Sequence, residues 1–139
     1  MKATILLVFL FTLLSCGKDD GSRIPDVFVD YKTTVTEFNL NSDQNDVLLV
    51  NGHGVAGLII YQSGVNTYKA FDRCSSVEPE KKCQVVPNGS FTATDPCSGA
   101  MFSLQDGSPA KAPAVRGLKE YRVQVINNFN IRVSNDYGN

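Results

Sequence analysis

The residues of this chain equipped for chemistry gather in two short segments, Cys74-Ser75-Ser76 and Asp95-Pro96-Cys97-Ser98, with Cys83 between them. Thiols and carboxylates ligate metals, thiols also pair or carry redox chemistry, and a serine hydroxyl becomes a nucleophile when a base stands beside it. The base is missing. The one histidine, His53, lies in Asn51-Gly52-His53-Gly54, far from either segment in sequence, and reads as an exposed turn residue. No Gly-x-Ser-x-Gly elbow surrounds Ser98, and no zinc spacing, phosphate-cradling glycine loop or EF-hand pattern occurs. Asp72, Glu78, Glu80 and Asp95 would bind a cation if they met at the loop tips, although solvated surface charge is the commoner state of such residues. These absences argue against an enzyme and leave binding, metal or thiol-redox roles.

The elements that must hold these segments are strands. Short β-branched and aromatic runs at 27–31, 35–40, 47–51, 57–62, 68–72, 83–86, 90–93, 101–103, 119–126 and 130–133 are separated by Gly, Asn, Asp and Pro. Ser63-Gly64-Val65-Asn66, Pro87-Asn88-Gly89, Asp106-Gly107 and Asn127-Asn128 suit hairpin connections, because Gly and Asn adopt positive φ at low cost. No segment carries a helical period. The expected class is all-β, with stacked antiparallel sheets in one domain.

The N-terminus follows a different logic. Lys2 precedes an apolar run from 3 to 14, closed by Leu13-Leu14-Ser15-Cys16, the pattern of an export signal. As a helix the run would span roughly 18 Å, short of the ~30 Å hydrocarbon core. Its end resembles the bacterial lipobox, which implies a signal peptide over 1–15 and lipid attachment at Cys16. Residues 16–26 read as a lipidated N-terminus and flexible tether, and 27–139 as the folded domain. Lys18-Asp19-Asp20 resembles the surface-export signal of some Gram-negative lipoproteins, with an acidic linker as the alternative. The location expected is the cell envelope of a Gram-negative bacterium, on an outer-membrane lipid anchor. Without Lys2 the 13 Lys and Arg become 12 against 14 Asp and Glu, a formal net charge of −2 with no basic stripe, which argues against a nucleic-acid partner.

From about Gly54 to Val133 the chain resembles the Rieske iron–sulfur fold. Gly57-Leu58-Ile59-Ile60-Tyr61 and Tyr68-Lys69-Ala70-Phe71-Asp72-Arg73 resemble the strands entering the first cluster loop, and Cys74-Ser75-Ser76 falls where Cys-x-His belongs. Asp95-Pro96-Cys97-Ser98-Gly99-Ala100-Met101-Phe102 falls on the Cys-Pro-Cys-His-Gly-Ser-x-Phe box. Asp106-Gly107, Ala112-Pro113-Ala114 and Leu118-Lys119-Glu120-Tyr121 resemble the closing stretch of the family. The resemblance implies four [2Fe-2S] ligand positions, here Cys74, Ser76, Asp95 and Ser98, of which only Cys74 keeps its residue type. It therefore implies a degenerate cluster site, with no metal and no cofactor expected. An intact [2Fe-2S] electron carrier is the alternative.

With Cys16 lipidated, three cysteines remain in an oxidising compartment and one is left over. Many Rieske proteins tie the two loops with a disulfide, which by resemblance pairs Cys83 with Cys97 and leaves Cys74 free. Cys74 bonded to Cys83 is the local alternative, and Val77-Glu78-Pro79-Glu80-Lys81-Lys82 lengthens the first loop relative to the family. The unpaired thiol would permit a redox role if exposed and acidic. The sequence therefore leads to a membrane-anchored lipoprotein acting as a non-catalytic binding domain, toward an unidentified protein or small molecule of the cell envelope.

Overall fold

The computed structural model describes residues 23–135. The expected signal peptide over 1–15, the expected lipid-attachment residue Cys16 and residues 17–22 of the expected tether lie outside the described residues. Ten strands and a short helix follow in order: β1 (Asp30–Thr34), α1 (Val35–Asn41), β2 (Val47–Val50), β3 (Leu58–Gly64), β4 (Thr67–Asp72), β5 (Val86–Asn88), β6 (Thr92–Thr94), β7 (Met101–Ser103), β8 (Pro109–Lys111), β9 (Glu120–Ile126) and β10 (Asn130–Ser134). They form two antiparallel sheets, one ordered β1-β10-β9-β4-β3-β2 and one ordered β5-β6-β7-β8. The architecture is the Rieske-like all-β fold.

Strand β3 shows why the sheets stack. Leu58-Ile59-Ile60-Tyr61 is apolar and buried at every position, the pattern of a strand covered on both faces. Side chains alternate across a strand, so Leu58 and Ile60 enter one cluster with Phe38, Tyr121, Ile131 and Val133. Ile59 and Tyr61 join Phe71 in a second cluster, against Val85, Ala93, Phe102, Leu104 and Leu118 from the smaller lobe. Each fully buried aliphatic side chain contributes roughly 1.5–3 kcal/mol, so the second cluster joins body and lobe strongly while the first holds the body together.

The lobe is an insertion. It leaves the body after β4 and returns into β9, and those strands pair at Ala70 with Tyr121 and Phe71 with Glu120. The Asp72 N–H donates to the Lys119 carbonyl at 2.8 Å, closing the neck. Gly107 sits in this junction at φ +75°, and a Cβ there would stand 2.7 Å from the Phe71 ring. Only glycine meets both conditions.

Three expectations are corrected. Residues 35–40 form α1, not a strand, because Thr34 caps it: the Glu37 N–H donates to Thr34 Oγ1 at 3.0 Å and the Thr34 N–H to Glu37 Oε2 at 3.1 Å. That reciprocal pair is a capping box, and its Thr-x-x-Glu spacing outweighs the β-branched composition. Residues 23–26, expected to be part of a tether, pack on the domain: Ile24 is 4% exposed and lies against Ala56 and Cys74, and Asp26 pairs with buried Lys119. Pro87 and Asn88 belong to β5 itself, and β8 arises from a Pro-Ala-Lys stretch with no strand signature. Asn66, Asn127 and Asn128 do adopt positive φ at their hairpins.

Candidate functional site

Two loops of the lobe carry the residues singled out by their chemistry. The first leaves β4 at Arg73 and returns at Val85, tied by Val85 N–H to the Arg73 carbonyl at 2.7 Å and Ser75 N–H to the Cys83 carbonyl at 2.9 Å. The second lies between β6 and β7, closed by Gly99 N–H to the Asp95 carbonyl and Asp95 N–H to the Ala100 carbonyl, both at 2.8 Å. Cys83 and Cys97 join them by a disulfide with Cα atoms 6.3 Å apart. This is the pairing that the family resemblance implied.

Asp95 organises the site. It is 2% exposed, and its Oδ2 accepts the Ser75 hydroxyl at 2.7 Å and the Ser98 hydroxyl at 2.6 Å. Its Oδ1 accepts the Cys97 N–H at 2.8 Å. Burial pushes this carboxyl up, but the hydrogen bonds from Ser98, Ser75 and the backbone of Cys97 and Ser98 outweigh burial and hold it below the ordinary carboxylate value. The carboxylate is therefore a charged hub between the loops.

Ser98 joins it, but the other two implied ligand positions do not. Ser76 turns aside, donating its hydroxyl to the Arg116 carbonyl at 2.7 Å. Cys74 is free and fully buried, its thiol donating to the Pro79 carbonyl at 3.4 Å. Burial, and then the neighbouring Asp72 charge, push that thiol up to about 11. A reactive thiol needs exposure and a lowered pKa, and Cys74 has the reverse of both.

Cys74 yields a direct prediction. The folded protein at pH 8 should leave it unlabelled by an alkylating reagent, and denaturant should expose it, which intact-mass measurement will register. Because its folded pKa lies above the unfolded one, the thiol stabilises the fold fully below the unfolded value. That contribution should fade as pH rises toward about 11.

Several residues take places the sequence did not indicate. Asp72 is not at the loop tips with Glu78 and Glu80; it is fully buried at the neck. There it accepts from Val55 N–H at 2.6 Å, Ala56 N–H at 3.1 Å, Cys74 N–H at 2.8 Å and Tyr121 Oη at 2.7 Å. Glu78 pairs with Lys81 at 2.5 Å, so the four carboxylates do not assemble into one cation site. His53 is half-buried, its ring edge-to-face with Tyr31 of β1 at 5.1 Å. Ser75 was missed because it occupies the variable position between two implied ligands.

No family model matches the chain, and no curated protein matches it. Among solved structures, the cyanobacterial plasma membrane Rieske protein PetC3 from Synechocystis PCC 6803 is similar at 25% identity and a TM-score of 0.54, over 78% of this chain and 98% of that one. The ferredoxin of carbazole 1,9a-dioxygenase from Nocardioides aromaticivorans IC177 is similar at 16% identity and 0.54, over 80% and 100%. A complex of reduced oxygenase and oxidized ferredoxin in carbazole 1,9a-dioxygenase holds another similar chain, at 20% identity and 0.54, over 80% and 97%. The chain carries a Rieske-like domain.

Proposed function

We propose that this Rieske-like domain holds no iron–sulfur cluster and serves as a non-catalytic binding domain of an exported lipoprotein, anchored through Cys16 to the envelope membrane of a Gram-negative bacterium. The observation that carries the reading is Asp95: where the family places a ligand cysteine stands a carboxylate already engaged by Ser75, Ser98 and the Cys97 N–H. Iron in such clusters is held by thiolate and imidazole. This donor set does not fit a [2Fe-2S] cluster, since its one thiol, Cys74, is buried and protonated and Ser76 is committed to a backbone carbonyl.

A protein partner is supported by the neighbouring ferredoxin, whose structure is a complex with an oxygenase. Membrane association is supported by the likeness to a plasma membrane Rieske protein. No described helix is long and apolar enough to cross a membrane, so attachment in this reading rests on the lipid. The loops are rigid, stapled and self-satisfied, which suits a surface that binds without reacting. Val115, 87% exposed beside the Arg116 carbonyl that holds Ser76, gives that end an apolar contact point.

Metal analysis with disulfide mapping on protein from an iron-replete, cluster-competent preparation tests the reading. Colourless, iron-free protein with a Cys83–Cys97 disulfide is expected. Visible absorbance with an EPR signal on reduction would replace it with the alternative, a Rieske-type electron-transfer protein.

A further inference from the structure

The disulfide and the charged hub are neighbours, a juxtaposition the proposed function leaves unused. One sulfur each from Cys83 and Cys97 and one carboxylate oxygen of Asp95 lie within 4.8 Å of one another. While the sulfurs are bonded together they cannot both donate to a metal. Cys97 is exposed and Cys83 half-buried, so the bond lies open to an external reductant, whereas Asp95 beneath it is buried.

We propose that the Cys83–Cys97 disulfide gates a cation site, and that reduction by a dithiol turns Cys83, Cys97 and Asp95 into a Cys₂Asp set for zinc(II). In the reaction the S–S bond breaks, the dithiol supplies two electrons and two protons, and it leaves as its own disulfide. Two protein thiols result. On binding the metal, each thiol releases its proton to solvent. Two thiolates and a carboxylate provide three ligands of the tetrahedral set that zinc prefers, and a water completes it.

The carboxylate is prepared for the role. A carboxylate offers about four lone-pair sites. The Ser75 and Ser98 hydroxyls take two on Oδ2, the Cys97 N–H takes one on Oδ1 and the Ser98 N–H also bonds the carboxylate, so a metal on Oδ1 would share this oxygen with a backbone donor. The two serines then act as positioning residues, fixing the orientation of a ligand in the way outer hydrogen-bond partners do in metal sites. Cys74 is no part of the set.

The test uses the full chain carrying Cys16→Ser, reduced with dithiothreitol, desalted under argon and titrated with cadmium(II) as a spectroscopic stand-in for zinc. The reduced protein should bind one equivalent with thiolate-to-cadmium charge-transfer absorbance, and its thermal midpoint should rise with added metal. If reduction alone unfolds the chain, cadmium should restore its β circular-dichroism spectrum. The oxidised protein should show none of these responses. Adding Cys97→Ser should abolish the binding, Cys74→Ser should leave it intact, and Ser98→Ala should weaken it roughly tenfold. A reduced chain that takes up no cadmium and gains no stability from it overturns the proposal, as does equal affinity after Cys97→Ser.

Discussion

Replacing Asp72 with alanine is expected to lower the unfolding free energy by on the order of 4 kcal/mol or more, because each buried donor left without a partner costs about 1–3 kcal/mol. Four donors converge on this one carboxylate: three backbone N–H groups and the Tyr121 hydroxyl. They come from the segment before β3, the start of the first loop and β9, so the carboxylate fastens three parts of the chain where the Leu58–Asp72 and Phe71–Glu120 pairings end. Domains of this size are stable by roughly 5–15 kcal/mol, so the variant should be marginal at 37 °C. Asp72→Asn keeps the shape but turns an amide N–H₂ toward the donors, and should fall between wild type and alanine. Urea titration of the three proteins measures this, and a loss below about 1 kcal/mol would show that the neck closes without the carboxylate.

Breaking the disulfide should have the next largest effect. Cys83 and Cys97 are separated by 14 residues, and releasing a loop of that length frees about 3 kcal/mol of chain entropy in the unfolded state. For a domain of this size that corresponds to a fall of roughly 10 °C or more in the thermal midpoint. Cys83→Ser and Cys97→Ser should each cost nearly as much as the double variant, since either removes the same bond. Additive losses in calorimetry would mean that the cysteines act separately. The hydrogen bonds of Asp95 link the same loops, so combining Cys97→Ser with Asp95→Ala should cost more than the sum of the two.

Much of this was legible in the residues themselves. The continuous apolar run of β3 announced a strand covered on both faces, and the paired asparagines at 127 and 128 marked a hairpin where both take positive φ. The helix was legible too, in the Thr34 to Glu37 spacing, but β-branched Val35 and Thr36 beside it favoured the other reading. The site was readable in identity and not in direction. Ser76 and Ser98 read as equivalent replacements, yet one turns to the Arg116 carbonyl and the other to Asp95. Spacing does not encode that choice, because it depends on where the returning 112–116 segment passes. Asp72 ends an apolar strand as a lone acid, and sequence alone does not tell whether such a residue faces water or four buried donors.

The narrow neck between body and lobe governs how a change at the loops spreads. Phe71 and Glu120 are partners across β4 and β9, so the polypeptide enters and leaves the lobe through a single doorway. The first loop stays close to that doorway: Cys74 packs with Ile24 and Ala56, and the Gln84 amide donates to the Ala56 carbonyl at 2.7 Å. A substitution in the first loop is therefore felt in the body, and the Cys83–Cys97 bond and the hydrogen bond from Ser75 to Asp95 carry it on to the second loop. Lobe and body thus form one mechanical unit, and loosening the doorway would loosen both loops.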